Sequence, residues 1–238
     1  MKKVIIVGAT SGIGRCLAKL MAENGSLVGI TGRRTQLLEE IKAEKPESYL
    51  TKTLDITLTS TIARQLEELT LNLGGLDILI ISSGTGDLNE KLDFEIEKKT
   101  IDTNIGGYTA IADWAFNYFS AQSRGHLVAI TSIGGLHGNS LAPAYSASKA
   151  YQINYLQGLQ MKAAKSSVPV FITDIRPGFV NTDMAKGEKL FWMVSAEKAA
   201  NQIFKAIQKK KRTAYITKRW VLIALLFKYL PNRIFEKL

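Results

Sequence analysis

Tyr145 and Lys149 stand four residues apart in Tyr145-Ser146-Ala147-Ser148-Lys149, a spacing that puts both on one face of a helix. A free phenol, with a pKa of about 10, is a poor acid or base at neutral pH. An adjacent ammonium favours the phenolate and lowers that value, so reversible proton exchange with a carbonyl or alcohol oxygen becomes feasible. Alone, such a pair recurs by chance and is ordinarily a surface pair. Here Ser132 lies thirteen residues upstream of Tyr145, at the end of an apolar run. A hydroxyl there can donate to a substrate oxygen and polarise it. Asn104, in Ile101-Asp102-Thr103-Asn104, interrupts a helical pattern. It can hold a water that relays a proton outward, or simply bond locally within a helix.

A second constellation suits a dinucleotide. The apolar run 4–7 leads straight into Gly8-Ala9-Thr10-Ser11-Gly12-Ile13-Gly14 and then a helical pattern. Gly8 permits a tight turn, Gly12 lets the backbone approach a pyrophosphate, and Gly14 allows close helix packing. The helix N-terminus offers free N–H groups and the positive end of its dipole to phosphates. Gly8, Thr10, Ser11, Gly12, Ile13 and Gly14 are the candidate contacts. The next apolar run ends Thr31-Gly32-Arg33-Arg34, where an NAD-binding chain usually carries an acid. An acid would repel a 2′-phosphate and a guanidinium can bind it, so NADP(H) is expected, with Arg33 first and Arg34 second. The alternative is a solvated helix start. Asp55-Ile56 follows the third run; its carboxylate can accept from an adenine amino group or cap the next helix.

These residues need a scaffold that gathers them at one edge. Apolar runs at 4–7, 27–31, 49–54, 78–81, 127–131, 170–173 and 214–216 predict strands, several of them continuously apolar as in a sheet covered on both faces. Helical periodicity follows 8–14 and covers 59–72, 92–122, 143–165 and 196–209. Alternating strands and helices imply an α/β, doubly wound parallel sheet of about seven strands with helices on both faces. Ligands then bind at the carboxyl ends of the strands, where the candidate residues fall.

On these motifs the chain resembles the short-chain dehydrogenase/reductase family, a Rossmann type with Tyr-x-x-x-Lys, over roughly residues 2–216. The matches are residues 8–14, Asp55, Asn104, Ser132, Tyr145 with Lys149, and Pro177-Gly178-Phe179-Val180-Asn181-Thr182. The resemblance implies that Tyr145 is the acid, that Ser132 polarises the carbonyl, that Lys149 also binds the nicotinamide ribose, and that Asn104 supports proton relay. It places Pro177, Gly178 and Val180 beside the nicotinamide carboxamide, with Thr182 near the amide or phosphates. It also implies a homodimer or homotetramer. One departure stands out: Ile81-Ser82-Ser83-Gly84 replaces the family's Asn-Asn-Ala-Gly and keeps only Gly84, the residue that lets backbone approach the cofactor.

The 238 residues fit a catalytic domain over 1–216 and an extension over 217–238. Of the net charge of +10, residues 209–238 hold +8, from nine Lys/Arg against Glu236. No nucleic-acid motif accompanies them. His126 and His137 lack partners at ligand spacing, so no metal site is expected. The eight apolar residues from Trp220 to Phe227 are too few to span a bilayer. Apolar all round and flanked by Lys218, Arg219, Lys228 and Tyr229, they suit an anionic membrane interface; an intersubunit or substrate-pocket helix is the alternative. Beyond Thr182, Met184, Leu190, Phe191, Trp192 and Met193 form an apolar lid. The expectation is therefore a cytoplasmic protein, peripheral on the inner face of the membrane if the extension docks there. It would reduce a lipophilic ketone to a secondary alcohol, or the reverse. Candidates are a 3-ketosphingoid base, a 3-oxoacyl chain, a steroid or a lipid-linked keto-sugar. A non-catalytic NADP(H)-sensing protein and a soluble, broad-specificity carbonyl reductase are the competing readings.

Overall fold

The apolar runs pair as parallel strands: β1 (Lys3–Val7), β2 (Leu27–Gly32), β3 (Tyr49–Thr53), β4 (Ile78–Ile81), β5 (Gly125–Ile130) and β6 (Val170–Pro177). Two short strands, β7 (Val180–Asn181) and β8 (Val194–Ser195), pair with each other, and β9 (Thr213–Ile216) completes the main sheet. The chain is described by a computed structural model over residues 1–165, 169–184 and 191–229. Sheet order is β3-β2-β1-β4-β5-β6-β9, every pair parallel. This is the doubly wound sheet the sequence implies.

Successive residues of a strand face opposite sides, and β1 shows why both sides must be covered. Val4 and Ile6 pack with Leu17, Met21, Leu38 and Ile203 from α1 (Gly12–Glu23), α2 (Thr35–Glu44) and α7 (Ala196–Gln208). Ile5 and Val7 pack with Leu66, Ile111 and Leu156 from α3 (Thr59–Leu73), α5 (Tyr108–Ala121) and α6 (Pro143–Lys165). The winding reverses between β1 and β4, which opens a crevice at their carboxyl ends.

The single helix expected over 92–122 is instead α4 (Phe94–Ile101), a π-helical segment (Asp102–Gly107) and then α5. The wide turn lets the fully buried Asn104 face the loop after β4. It also lets Gly107 abut the Ile56 carbonyl, where a Cβ would collide. β6 runs to Pro177 rather than stopping at Thr173. Its polar Asp174 and Arg176 stay in the sheet because they pair, Arg176 Nε lying 2.6 Å from Asp174 Oδ2, and Thr131 Oγ1 donates to Asp174 Oδ1 at 2.6 Å.

The last helix, α8 (Trp220–Tyr229), is one-sided although its sequence is apolar all round. Trp220 and Ala224 are buried against Ile133, with Phe179, Tyr215, Ile223 and Phe227 around them. Val221, Leu222 and Leu225 face outward, Leu222 being 63% exposed. Of the basic extension, residues 230–238 lie outside the described residues. Among the described residues no helix is long and apolar enough to cross a membrane.

Candidate active site

Tyr145, Ser148, Lys149 and Gln152 share one face of α6, Ser148 and Lys149 lying three and four residues beyond Tyr145, and Gln152 four and three residues beyond them. The face is set against the end of β5 and the π-helical turn. Ser132, just beyond β5, hydrogen-bonds the Tyr145 phenol and also accepts from Gly134 N–H at 3.0 Å. The Tyr145 ring packs against Gly86, where a Cβ would overlap it. Lys149 Nζ donates to Gln152 Oε1 at 2.9 Å and to the Ile130 carbonyl at 3.2 Å. Asn104 binds the Thr85 backbone both ways, accepting at 2.9 Å and donating at 2.7 Å, and donates to Ser148 Oγ at 3.0 Å. All four expected catalytic residues therefore meet.

The electrostatics differ from the simple picture of an ammonium lowering a phenol. Burial pushes the Tyr145 phenol up, against the Ser132 hydrogen bond. Burial also pulls Lys149 down to about 8, against the pull of Asp174. Lys149 Nζ is 5.9 Å from the Tyr145 ring centroid and does not offset that burial. Both groups are held towards their neutral forms, and a phenol that keeps its proton is the form that can donate one.

A cleft of about 1840 Å³ runs from the Gly8 turn past Tyr145 to α8. At one end Gly8 (φ +87°) and Gly12 (φ +53°) hold backbone geometry that side chains disfavour. A Cβ on Gly12 would come within 3.0 Å of Thr182 Cγ2, so Thr182 stands over the phosphate-binding turn. The α1 N-terminus has no side-chain cap and no acid in its first turn, leaving its dipole end open to an anion. Arg34 Nη2 reaches Thr10 Oγ1 at 2.6 Å and Ser11 Oγ at 2.8 Å. Arg33 is exposed at the same mouth, where its charge reaches Asp55. Burial raises the Asp55 pKa, but the Thr57 hydrogen bonds and Arg33 outweigh it and hold the carboxyl low. Asp55 Oδ1 accepts from Thr57 N–H at 3.0 Å and does not cap α3, whose N-cap is Leu58. Ile13, Ile56, Gly84, Pro177, Gly178 and Val180 also line the cleft. These features fit a bound dinucleotide.

At the other end the walls are Phe179, Phe191, Ile223, Leu226 and Phe227. Phe191, Trp192 and Trp220 join Phe179 in an edge-to-face aromatic cluster. Gly178 has no room for a Cβ because the Trp220 indole fills it. Of the expected lid, Leu190 lies outside the described residues. Sequence reasoning missed Gln152, Asp174, Gly86 and Trp220 as parts of the site. Only Gln152 carried a signal, seven residues beyond Tyr145 on the same helical face. Ser82 Oγ sits beside Gly14, within 3.1 Å of where its Cβ would be, so the altered motif after β4 still packs against the phosphate turn.

A family model described as short chain dehydrogenase matches residues 2–191. An uncharacterised oxidoreductase of Staphylococcus aureus is 33% identical over 184 residues, 76% of this chain and 79% of that protein. One of Mycobacterium tuberculosis is 29% identical over 243 aligned residues, 98% of this chain and 95% of the relative. Among solved structures, the closed form of serine dehydrogenase complexed with NADP+ superposes with a TM-score of 0.80 at 25% identity, covering 90% of this chain and 93% of that one.

Proposed function

The chain belongs to the short-chain dehydrogenase/reductase family of oxidoreductases, and we propose that it is an NADP(H)-dependent reductase of ketones carried on an apolar body. The observation that carries the reading is one continuous cleft, with the open α1 N-terminus and Arg34 at one end, Tyr145 in the middle and aromatic walls at the other. The nicotinamide, when bound, supplies or accepts the hydride. Tyr145 Oη gives its proton to the substrate oxygen, and the Ser132 hydroxyl donates to the same oxygen and polarises the C=O bond. Lys149 holds the nicotinamide ribose and stabilises the phenolate left behind. Gly8, Thr10, Ser11, Gly12, Ile13 and Gly14 bind the pyrophosphate with Thr182, and Arg34 with Arg33 takes the 2′-phosphate. Asp55 and Ile56 flank the adenine. Pro177, Gly178 and Val180 hold the carboxamide, and Gly84 lets the protein backbone approach the cofactor. Residues 1–216 form the catalytic domain, with 217–238 as a basic and apolar extension of which Trp220, Ile223, Leu226 and Phe227 line the cleft.

The substrate follows from the walls. Serine, the substrate in the NADP+-bound neighbour's name, is a small polar zwitterion, whereas Phe179, Ile223, Leu226 and Phe227 suit a hydrocarbon. Each buried methylene contributes about 0.8 kcal/mol. We therefore expect kcat/KM for a 2-alkanone series with NADPH to rise about four-fold per added carbon until the wall is filled. A flat series, or a preference for serine, would refute the apolar substrate.

For the outer face of α8 we propose an anionic membrane surface. Leu222 and Leu225 face outward beside Lys218 and Arg219. Each basic residue near such a surface contributes about 1 kcal/mol, and each large apolar side chain about 1.5–3 kcal/mol if fully buried. Anionic liposomes should recruit the protein more than neutral ones, and Leu222→Ser with Leu225→Ser should abolish recruitment while NADPH still binds. Buried Trp220 favours a second reading, a soluble reductase in which α8 only walls the pocket. Equal indifference of wild type and double variant to liposomes would establish it.

A further inference from the structure

Gln152 is 1% exposed, lies behind Lys149 and is not used by the chemistry above. Its Oε1 accepts from Lys149 Nζ at 2.9 Å, and its Nε2 donates to the Asn104 carbonyl at 2.8 Å. The two partners dictate which way the amide points, since an ammonium requires an acceptor and a carbonyl requires a donor. Asn104 is committed elsewhere through its side chain, to Thr85 and Ser148, so its carbonyl is a rigid anchor.

We propose that Gln152 is a positioning residue: its carboxamide, anchored on the π-helical turn through the Asn104 carbonyl, aims the Lys149 ammonium at the Tyr145 side of the cleft. The inference rests on the reading of Lys149 given under Proposed function. A carboxamide suits this place better than a carboxylate. It accepts from the ammonium without a net charge, so Lys149 is oriented but not locked into its charged form. It also ends the polar path behind Lys149. A carboxamide accepts at oxygen and donates at nitrogen but passes no proton between the two without tautomerising. The proton relay expected through Asn104 is thereby turned into a fixed support on this side.

The other groups facing Lys149 are few. Tyr145 lies on its own helix, and the Ile130 carbonyl comes from β5. From β6 comes Asp174, which also faces the buried Tyr108 of α5 and is itself paired with Arg176. Gln152 is thus the neutral partner of an ammonium whose charged neighbour, Asp174, is shared with Arg176, and exchanging it should move the titration of Lys149 in a direction set by the replacement.

The test needs no substrate. The full chain labelled with 13Cε-lysine is titrated by NMR without cofactor, and the Lys149 resonance is assigned by its loss in Lys149→Met. Wild-type Lys149 should titrate near 8. Gln152→Glu places a carboxylate against the ammonium and should move the midpoint to higher pH by about one to three pH units. Gln152→Met removes the acceptor at similar volume and should move it to lower pH. In turnover of 2-decanone with NADPH, Gln152→Met should lower kcat by about ten- to a hundred-fold through misaimed Lys149. A merely structural Gln152 would lower activity without opposite movements of the midpoint. Midpoints that stay put, or that move the same way in both variants, overturn the proposal. If Gln152→Met does not fold, as judged by circular dichroism, Gln152→Glu decides alone. Shifted midpoints with no turnover in any protein would sink the reductase reading and leave the placement of Lys149 standing.

Discussion

Replacing Tyr145 with Phe should lower turnover by about 10²–10⁴-fold and leave NADPH affinity largely intact. The substitution removes one oxygen. The ring keeps its place, because its packing against Gly86 is through ring carbons and does not involve the hydroxyl. What is lost is the transferable proton and the hydrogen bond with Ser132, which contributes about 1 kcal/mol to stability. Tyr145 is itself among the expected cofactor-binding residues, but the others proposed, on the Gly8 turn, the strand ends and Lys149, are left in place, so most of the NADPH affinity should remain. Fluorescence titration with NADPH and steady-state oxidation rates separate the two effects. Wild-type turnover in the variant would remove Tyr145 from proton transfer. Loss of NADPH binding would mean that the phenol is a cofactor contact first.

The second large effect is in cofactor choice. Arg34→Asp should lower the NADPH-to-NADH ratio of kcat/KM by about 10²–10⁴-fold, if two charge-assisted hydrogen bonds of about 1.5–3 kcal/mol each are lost and repulsion is added. Arg33→Asp should act in the same direction and less strongly. The difference comes from position. Arg34 is held by Thr10 and Ser11 on the phosphate-binding turn itself, with Nη2 at 2.6 and 2.8 Å from their hydroxyls. Arg33, exposed like Arg34, has no such hydroxyl partners among the described residues, and part of its charge acts on Asp55. The sequence ranks the two arginines the other way, because adjacency to the strand end is all it offers. Steady-state kinetics with both cofactors checks the order. A wild-type preference for NADH would show that neither guanidinium meets a phosphate.

Strand placement was legible because strands buried on both faces must be apolar at nearly every position, as Ile78–Ile81 is. The same rule explains the error in β6. Asp174 and Arg176 look like a loop until the ion pair between them is visible, with Thr131, just beyond β5, donating to the other oxygen of Asp174. Of the expected catalytic residues, Tyr145 and Lys149 were legible because their spacing follows a helical face, Ser132 because it ends an apolar run, and Asn104 because it interrupts a helical pattern. Gln152 lies on that face, yet an isolated glutamine carries no chemistry of its own; its role exists only through Asn104, 48 positions away in sequence. The helix over 92–122 was overextended for a related reason. Periodicity continues through a π-turn, and the widening is caused by groups that the turn meets in space: Thr85, Ser148 and the Ile56 backbone. For α8, an unbroken apolar run conceals which side faces the protein, and Trp220 against Gly178 decides it.

That contact between Trp220 and Gly178 bears on how this chain can change over time. The proton donor and its supports come from the stretch between Asn104 and Gln152, while the far wall of the pocket comes from a helix attached after the last strand of the sheet. On the function proposed above, the proton donor and much of the substrate wall therefore come from separate parts of the chain. Substitutions at Ile223, Leu226 or Phe227 can reshape the guest without disturbing the acid. Gly178 is the hinge of that freedom: it sits between the carboxamide loop and the helix, so any residue larger than Gly there would disturb both at once.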